Sequence, residues 1–180
     1  DNGEIRLCRE KADEWPEIIK ECPTGGIVMD SVIYTAEQLA EEVLKDEVFF
    51  RRGGGVTLSG GEPLLQGGFA VEVLRLLQGK KIHTAVETSL SVPPRTIMDA
   101  LPYLDLIYAD MKIADEAAHK KHVGTSNALI KKNLEYVLTS KFREKAVIRT
   151  PLIPGYTATE ENLSAIASFL SGIYPEVRYE

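Results

Sequence analysis

A chain of 180 residues with 44% apolar and 27% charged residues has the make-up of a globular domain with a buried core, which excludes disordered and collagen-like architectures. Its 21 Lys and Arg against 27 Asp and Glu leave a formal charge of −6, so no concentrated basic face is expected and nucleic acid is excluded as the main ligand. No apolar run approaches the roughly 20 residues of a membrane span. Nothing reads as a secretory leader, and two cysteines are too few for a disulfide scaffold, so the chain reads as cytoplasmic, with no membrane partner.

The first 34 residues are the least regular. They hold Cys8, Cys22, Trp15, Pro16 and the turn Pro23-Thr24-Gly25-Gly26. The chain begins Asp1-Asn2-Gly3 without a methionine and stops at Tyr179-Glu180 beside an incipient strand, as expected of a piece of a longer protein or of one numbered without an upstream segment. From Thr35 the pattern changes. Thr35-Ala36-Glu37-Gln38 fits a capping box, and Leu39, Val43, Leu44 and Phe50 recur at a spacing that predicts one helix ending before Gly53-Gly54-Gly55. A β-prone Gly55–Ser59 then runs into Gly60-Gly61-Glu62-Pro63. Phe69–Leu77 reads as a helix ended by Gly79, Ile82–Glu87 as a strand, and Pro94–Leu101 as a short helix with Pro94 in an allowed first-turn position. Leu106–Asp110 reads as a strand, Leu129–Leu138 as a helix and Ala146–Thr150 as a strand. Thr159–Leu170 reads as a helix, and Val177–Tyr179 opens another strand.

Strand and helix alternating in this way predict an α/β fold with a parallel sheet and right-handed crossovers. Two architectures fit: an open doubly wound sheet or a (β/α) barrel. A full barrel usually takes about 250 residues, so the expectation is a partial barrel or an open sheet.

In either case the working surface lies at the carboxyl ends of the strands, and four of those ends are polar. Ser59-Gly60-Gly61-Glu62 follows the first, Glu87-Thr88-Ser89 ends the second, Asp110-Met111-Lys112 ends the third, and Arg149 with Thr150 ends the fourth. Gly60 and Gly61 let the backbone approach a ligand with no Cβ in the way, and Glu62 adds a carboxylate suited to an ammonium. The same residues also read as a tight strand-to-helix turn. They do not follow the G-x-x-x-x-G-K-[ST] phosphate pattern. Asp110 and Lys112, two apart, point to one side of an extended chain. They read as a clamp for a zwitterion or carboxylate, as a rim ion pair, or, through Lys112, as the Schiff-base lysine of an aldolase-type barrel. Glu87 is expected beside Asp110, where two carboxylates favour a bound cation or raise one pKa. Arg149 reads either as an inward carboxylate binder or as an outward rim charge. His83, near a strand start, reads as structural, and His119 and His122, flanking Lys120 and Lys121, as part of a solvated face. Cys8 and Cys22 lack C-x-x-C partners and read as free thiols, too few for a four-cysteine cluster.

The run Gly53-Gly54-Gly55-Val56-Thr57-Leu58-Ser59-Gly60-Gly61-Glu62-Pro63-Leu64-Leu65-Gln66 closely resembles a stretch typical of glycyl-radical-enzyme activating enzymes, the pyruvate formate-lyase activase branch of the radical SAM superfamily. The likeness continues through Ile82–Ser89, Asp105–Lys112, His122–Asn127 and Ile148–Tyr156, and covers most of residues 22–170 in order. It implies a partial (β/α) barrel of the radical SAM type, lacking its first strand and cluster loop, that binds S-adenosylmethionine and a [4Fe–4S] cluster. In that family the reduced cluster cleaves the sulfonium to a 5′-deoxyadenosyl radical, which takes a hydrogen from a glycine of a partner glycyl-radical enzyme. The implied electron donor is a flavodoxin or ferredoxin.

Carried over position by position, Gly60, Gly61 and Glu62, entered from Ser59, hold the methionine amino group. Asp110 and Lys112 contact its carboxylate end with Thr88 and Glu87 beside them, and Arg149 joins the cofactor-binding set. Glu87 and Asp110 form a candidate monovalent-cation pair, at whose first position relatives often carry Asp. Cys22-Pro23-Thr24-Gly25 is similar to the tail of a ferredoxin-like insertion, which divides the chain into a degenerate remnant at 1–34 and the partial barrel at 35–180. The family's C-x3-C-x2-C loop does not occur in these residues. The resemblance puts it upstream of Asp1, so cluster ligands are expected outside the chain, no catalytic residue is assigned within it, and these residues alone are expected to be inactive. The alternative is a cluster-less SAM-binding or docking protein on the same scaffold.

Overall fold

Among the described residues, strands consecutive in sequence are neighbours in one sheet. The structure is a computed structural model that describes residues 15–28, 31–50 and 53–180, and it divides into two units, Asp1–Tyr34 and Thr35–Glu180. In the first, α1 (Trp15–Glu21) precedes a turn in which the Gly25 N–H donates to the Cys22 carbonyl at 3.2 Å. The expectation for Cys8 lies outside the described residues.

The second unit opens on the capping box. Thr35 Oγ1 accepts from the Gln38 N–H at 3.2 Å, and Gln38 Oε1 accepts from the Thr35 N–H at 2.9 Å, satisfying donors that a helix start leaves without partners. The helix is shorter than predicted. α2 (Ala36–Leu44) ends where Lys45 and Asp46 donate to carbonyls three residues back, and Phe50 belongs to a separate turn, α3 (Glu47–Phe50). That tightening to 3₁₀ geometry breaks the run without erasing its apolar spacing.

The remaining elements are β1 (Gly55–Leu58), α4 (Gly67–Gly79), β2 (His83–Thr88), α5 (Pro94–Ala100), β3 (Leu106–Asp110), α6 (Glu116–Val123), α7 (Ala128–Thr139), β4 (Ala146–Arg149), α8 (Glu160–Ile173) and β5 (Arg178–Tyr179). Among the described residues the five strands are all parallel and lie in the order β1-β2-β3-β4-β5. A doubly wound sheet reverses its strand order at a switch point. This one does not, so the fold is the arc of a (β/α) barrel.

The register sorts the side chains by alternation. Val86, Ile107 and Ala146 form one cross-strand row, and Thr88, Ala109 and Ile148 another. These face the helices, where Leu74, Ile97, Leu134 and Ile166 are each no more than 2% exposed. Glu87, Tyr108 and Val147 form a row on the opposite face, and Asp110 pairs with Arg149 in the next.

α6 is a helix that apolar spacing does not announce. Its ends hold it: Asp115 Oδ1 accepts from the Ala118 N–H at 2.7 Å, and Gly124 closes it in the left-handed region at φ 89°. Its two histidines part ways: His122 keeps to the expected solvated face and His119 does not. His119 is not part of a solvated face but buried, with Nδ1 2.7 Å from the Thr125 carbonyl. His122 is exposed and meets the Tyr156 ring edge-on at 5.0 Å.

Candidate functional site

The turn after β1 is bound to the end of β2 by one carboxylate. Glu62 Oε1 accepts from Thr88 Oγ1 at 2.7 Å and from the Leu64 N–H at 3.3 Å. Its Oε2 accepts from the Ser89 N–H at 2.8 Å and from Ser89 Oγ at 2.7 Å. Thr88 is buried and in turn accepts from the Leu90 N–H at 2.9 Å. Leu90 stands in the left-handed region at φ 58°, a strained setting for a branched side chain. Asn133 of α7 holds it there, its Nδ2 donating to the Leu90 and Val92 carbonyls at 2.8 and 2.9 Å. Ahead of Glu62 the chain is bare. Gly60 has φ +113°, and a Cβ on Gly60 or Gly61 would meet only open space. A cleft of about 480 Å³ lies against Thr57, Ser59, Gly61, Glu62 and Phe69.

The ends of β2, β3 and β4 carry a second group of residues, all charged. Arg149 points inward. Its Nη1 lies 3.1 Å from Glu87 Oε1, its Nη2 3.7 Å from Asp110 Oδ1, and its guanidinium stacks 4.5 Å over the Tyr108 ring. Lys112 Nζ is 3.6 Å from Asp110 Oδ2, so the two do share a side as the i, i+2 spacing requires. Glu87 is not directly beside Asp110: its row partner is Tyr108, and the positive charge between the carboxylates is the Arg149 guanidinium. All four groups keep partial solvent access, so their pairing is screened and exchangeable. Two cations and two anions held loosely at strand tips can trade these partners for the ends of a zwitterion.

The predicted residues therefore fall into two clusters. Ser59, Gly60, Gly61, Glu62 and Thr88 gather at the β1–β2 end, whereas Glu87, Asp110, Lys112 and Arg149 gather over β2–β4. Among the described residues no hydrogen bond or ion pair joins the two sets. Of the groups that fix the backbone beneath them, sequence reasoning missed Asn127 and Asn162 and named Thr150 only as a polar strand end. Asn162 Nδ2 donates to the Lys112 carbonyl at 3.0 Å, Asn127 Nδ2 to the Ile113 and Ala114 carbonyls at 2.9 Å, and Thr150 Oγ1 to the Met111 carbonyl at 2.6 Å. Their signal was available: Asn133 and Asn162 interrupt helix faces otherwise marked by Ile130, Leu134, Val137 and Ile166, and a buried amide needs partners.

Cys22 lies in the first unit, where hydrogen bonds from Thr24, first its hydroxyl at 3.7 Å, and from Ile27 hold its thiol below its usual range. Among the described residues no group of three or more His, Cys, Asp or Glu is placed to hold a metal ion, and no helix is long and apolar enough to cross a membrane.

Residues 22–166 match the family described as the Radical SAM superfamily. Curated relatives include an indoleacetate decarboxylase activating enzyme of Tractidigestivibacter scatoligenes, 36% identical over 93% of this chain and 53% of the relative. An isethionate sulfite-lyase activating enzyme of Desulfovibrio desulfuricans is 40% identical over 88% of this chain and 51% of the relative. The chain thus spans about half the length of these curated relatives. Among solved structures, a domain of a pyruvate-formate lyase-activating enzyme from Bacteroides vulgatus superposes with a TM-score of 0.63 at 36% identity, over 70% of this chain and 76% of that one. By this match over residues 22–166, which takes in β1 to β4, the chain belongs to the radical SAM superfamily.

Proposed function

We propose that these residues are the S-adenosylmethionine-binding arc of a glycyl-radical-enzyme activating enzyme. The observation that carries this reading is that one parallel sheet carries at its carboxyl edge both an open Gly60–Gly61 turn after β1 and the loosely paired Asp110, Lys112 and Arg149 at the ends of β3 and β4. The donor set suits the methionyl end of the cofactor. The open turn admits a ligand to main-chain acceptors, Lys112 and Arg149 supply positive charge for a carboxylate, and Asp110 supplies negative charge for an ammonium or sulfonium. Bound S-adenosylmethionine supplies, on reduction, the 5′-deoxyadenosyl group that takes a hydrogen atom from a glycine of the partner. This chain's residues orient it: Asn162 and Thr150 fix the backbone that presents Lys112, and Tyr108 keeps the Arg149 guanidinium over the sheet.

A [4Fe–4S] cluster is a different matter. Soft thiolate ligands are required, the chain has only Cys8 and Cys22, and the described residues offer no metal-binding group. These residues do not fit the cluster. The partner is a glycyl-radical enzyme, the electron donor a flavodoxin or ferredoxin, and the setting the cytoplasm. Residues 1–34 are read as the remnant of a ferredoxin-like insertion, supported by their standing as a separate unit.

Calorimetric titration of the 180-residue chain with S-adenosylmethionine tests the reading. Binding that Lys112→Ala weakens more than tenfold is the expected result, and no binding by the wild type would sink it. For the chemistry, the gene product containing this chain, reconstituted anaerobically with iron and sulfide, is expected to form 5′-deoxyadenosine and to raise a glycyl-radical signal on its partner. Cofactor binding without turnover would favour the docking-protein alternative.

A further inference from the structure

Taking Lys112 as a ligand contact, as the reading above does, we infer that Asn162 is a positioning residue that joins two loops into one unit: the segment Lys112–Ala114 after β3 and the loop Pro151–Ala158 after β4. Binding at Lys112 is thereby passed to the β4 loop, and the order of that loop sets how Lys112 is presented.

Asn162 stands in the first turn of α8, where its own N–H donates to Thr159 Oγ1 at 3.2 Å. An amide side chain has two N–H donors and a carbonyl acceptor, and Asn162 directs them at three backbone groups. Nδ2 donates to the Lys112 and Thr157 carbonyls, both at 3.0 Å, and Oδ1 accepts from the Ala114 N–H at 2.9 Å. The residue is buried to its edge, 9% exposed, so its removal leaves all three groups unmatched.

Each loop is stiff in itself. In the β4 loop the Ile153 carbonyl accepts from the N–H groups of Tyr156, Thr157 and Ala158, each at 3.1 Å. The buried Thr157 hydroxyl donates to the Pro151 carbonyl and accepts from the Ile153 N–H at 2.8 Å. In the β3 segment Asn127 Nδ2 donates to the Ile113 and Ala114 carbonyls at 2.9 Å. Two stiff loops pass a displacement on where slack ones would absorb it. Among the described residues, the bonds of Asn162 are the hydrogen bonds that connect them. The β4 loop carries Leu152, Ile153 and Tyr156, which are 67, 49 and 54% exposed, so what a ligand at Lys112 orders is an apolar surface beside the strand tips. Asn127 supplies the control. It grips the same β3 segment, and among the described residues its side chain makes no hydrogen bond to the β4 loop.

Amide hydrogen exchange separates a link from a prop. In the 180-residue chain, saturating S-adenosylmethionine is expected to slow the Tyr156, Thr157 and Ala158 amides by about fivefold, beyond any change at Leu134 in the core. Asn127→Ala should keep that response. Asn162→Ala should lose it even at saturation, while binding the ligand about tenfold more weakly. Three results overturn the inference: a wild-type loop that ignores bound ligand, a response that survives in Asn162→Ala, or an equal loss in Asn127→Ala. If the wild type binds no S-adenosylmethionine, the proposed function falls, and the link is judged on the free chain, as it also is if Asn162→Ala does not fold. Thr157→Val keeps the side chain's shape but removes the hydroxyl bonds of the β4 loop. It is expected to speed exchange of the Ala114 amide about threefold relative to Leu134. An unchanged rate at Ala114 overturns the link.

Discussion

The two halves of the strand-tip surface are built on opposite principles. At the β1–β2 end one carboxylate receives four neutral donors, at 2.7 to 3.3 Å. Over β2–β4 two carboxylates and two cations stand 3.1 to 3.7 Å apart with solvent among them. Saturated hydrogen bonding to a carboxylate is costly to undo because its partners are left unmatched. Half-exposed ion pairs contribute little and part readily. The first region sets geometry and the second offers charge, so substitutions in the first should reduce stability and those in the second should reduce ligand affinity.

The sharpest way to break this contrast is Glu62→Ala, expected to lower the unfolding free energy by about 3 kcal/mol as Thr88 and Ser89 lose their acceptor. Asp110→Ala is expected to stay within about 1 kcal/mol of wild type. Equal losses in urea denaturation would erase the distinction. Next in size, Lys112→Ala should weaken S-adenosylmethionine by more than tenfold, about 1.4 kcal/mol or more, with an unchanged urea midpoint. A smaller effect is expected of Arg149→Lys, which keeps the charge but loses the planar stack on Tyr108. A loss of about 1 kcal/mol in ligand binding is expected, and full retention would show that charge alone matters there.

The smallest effect lies away from both clusters and calibrates them. The Tyr174 hydroxyl donates to Glu144 Oε1 at 2.5 Å and holds that carboxyl below its ordinary value of 4.5. A lowered folded value means the stabilisation is fully present above pH 4.5 and is lost as pH falls through the folded value. Tyr174→Phe should therefore flatten the acid limb of the stability profile, measured by thermal melts between pH 3 and 6 (on the order of the carboxylate range). An unaltered limb would remove Glu144 from the acid response.

Much of this was legible in the residues. The alternation of strands and helices predicts a parallel sheet, and the polar runs at Ser59–Glu62, Glu87–Ser89, Asp110–Lys112 and Arg149 mark the working edge. The break at Lys45–Asp46 was not legible, because helical spacing carries across a two-residue interruption. Nor was α6, whose polar composition hides it although Asp115 and Gly124 announce both ends. The side Arg149 takes depended on register, which pairs it with Asp110 and sets Tyr108 below. Composition cannot supply register, because a one-residue slip exchanges the two faces of a strand. The double use of Ser89 was invisible for a related reason: it depends on a backbone turn at Leu90 secured from α7.

The strand order has a consequence for how the molecule is made. Since β2 docks on β1, β3 on β2, β4 on β3 and β5 on β4, each described strand after β1 finds a neighbour already in place when it is synthesised. Assembly of this kind keeps loop closures short and limits the time an edge stays unpaired on the ribosome. A sheet that grows in the direction of synthesis can therefore form by successive additions.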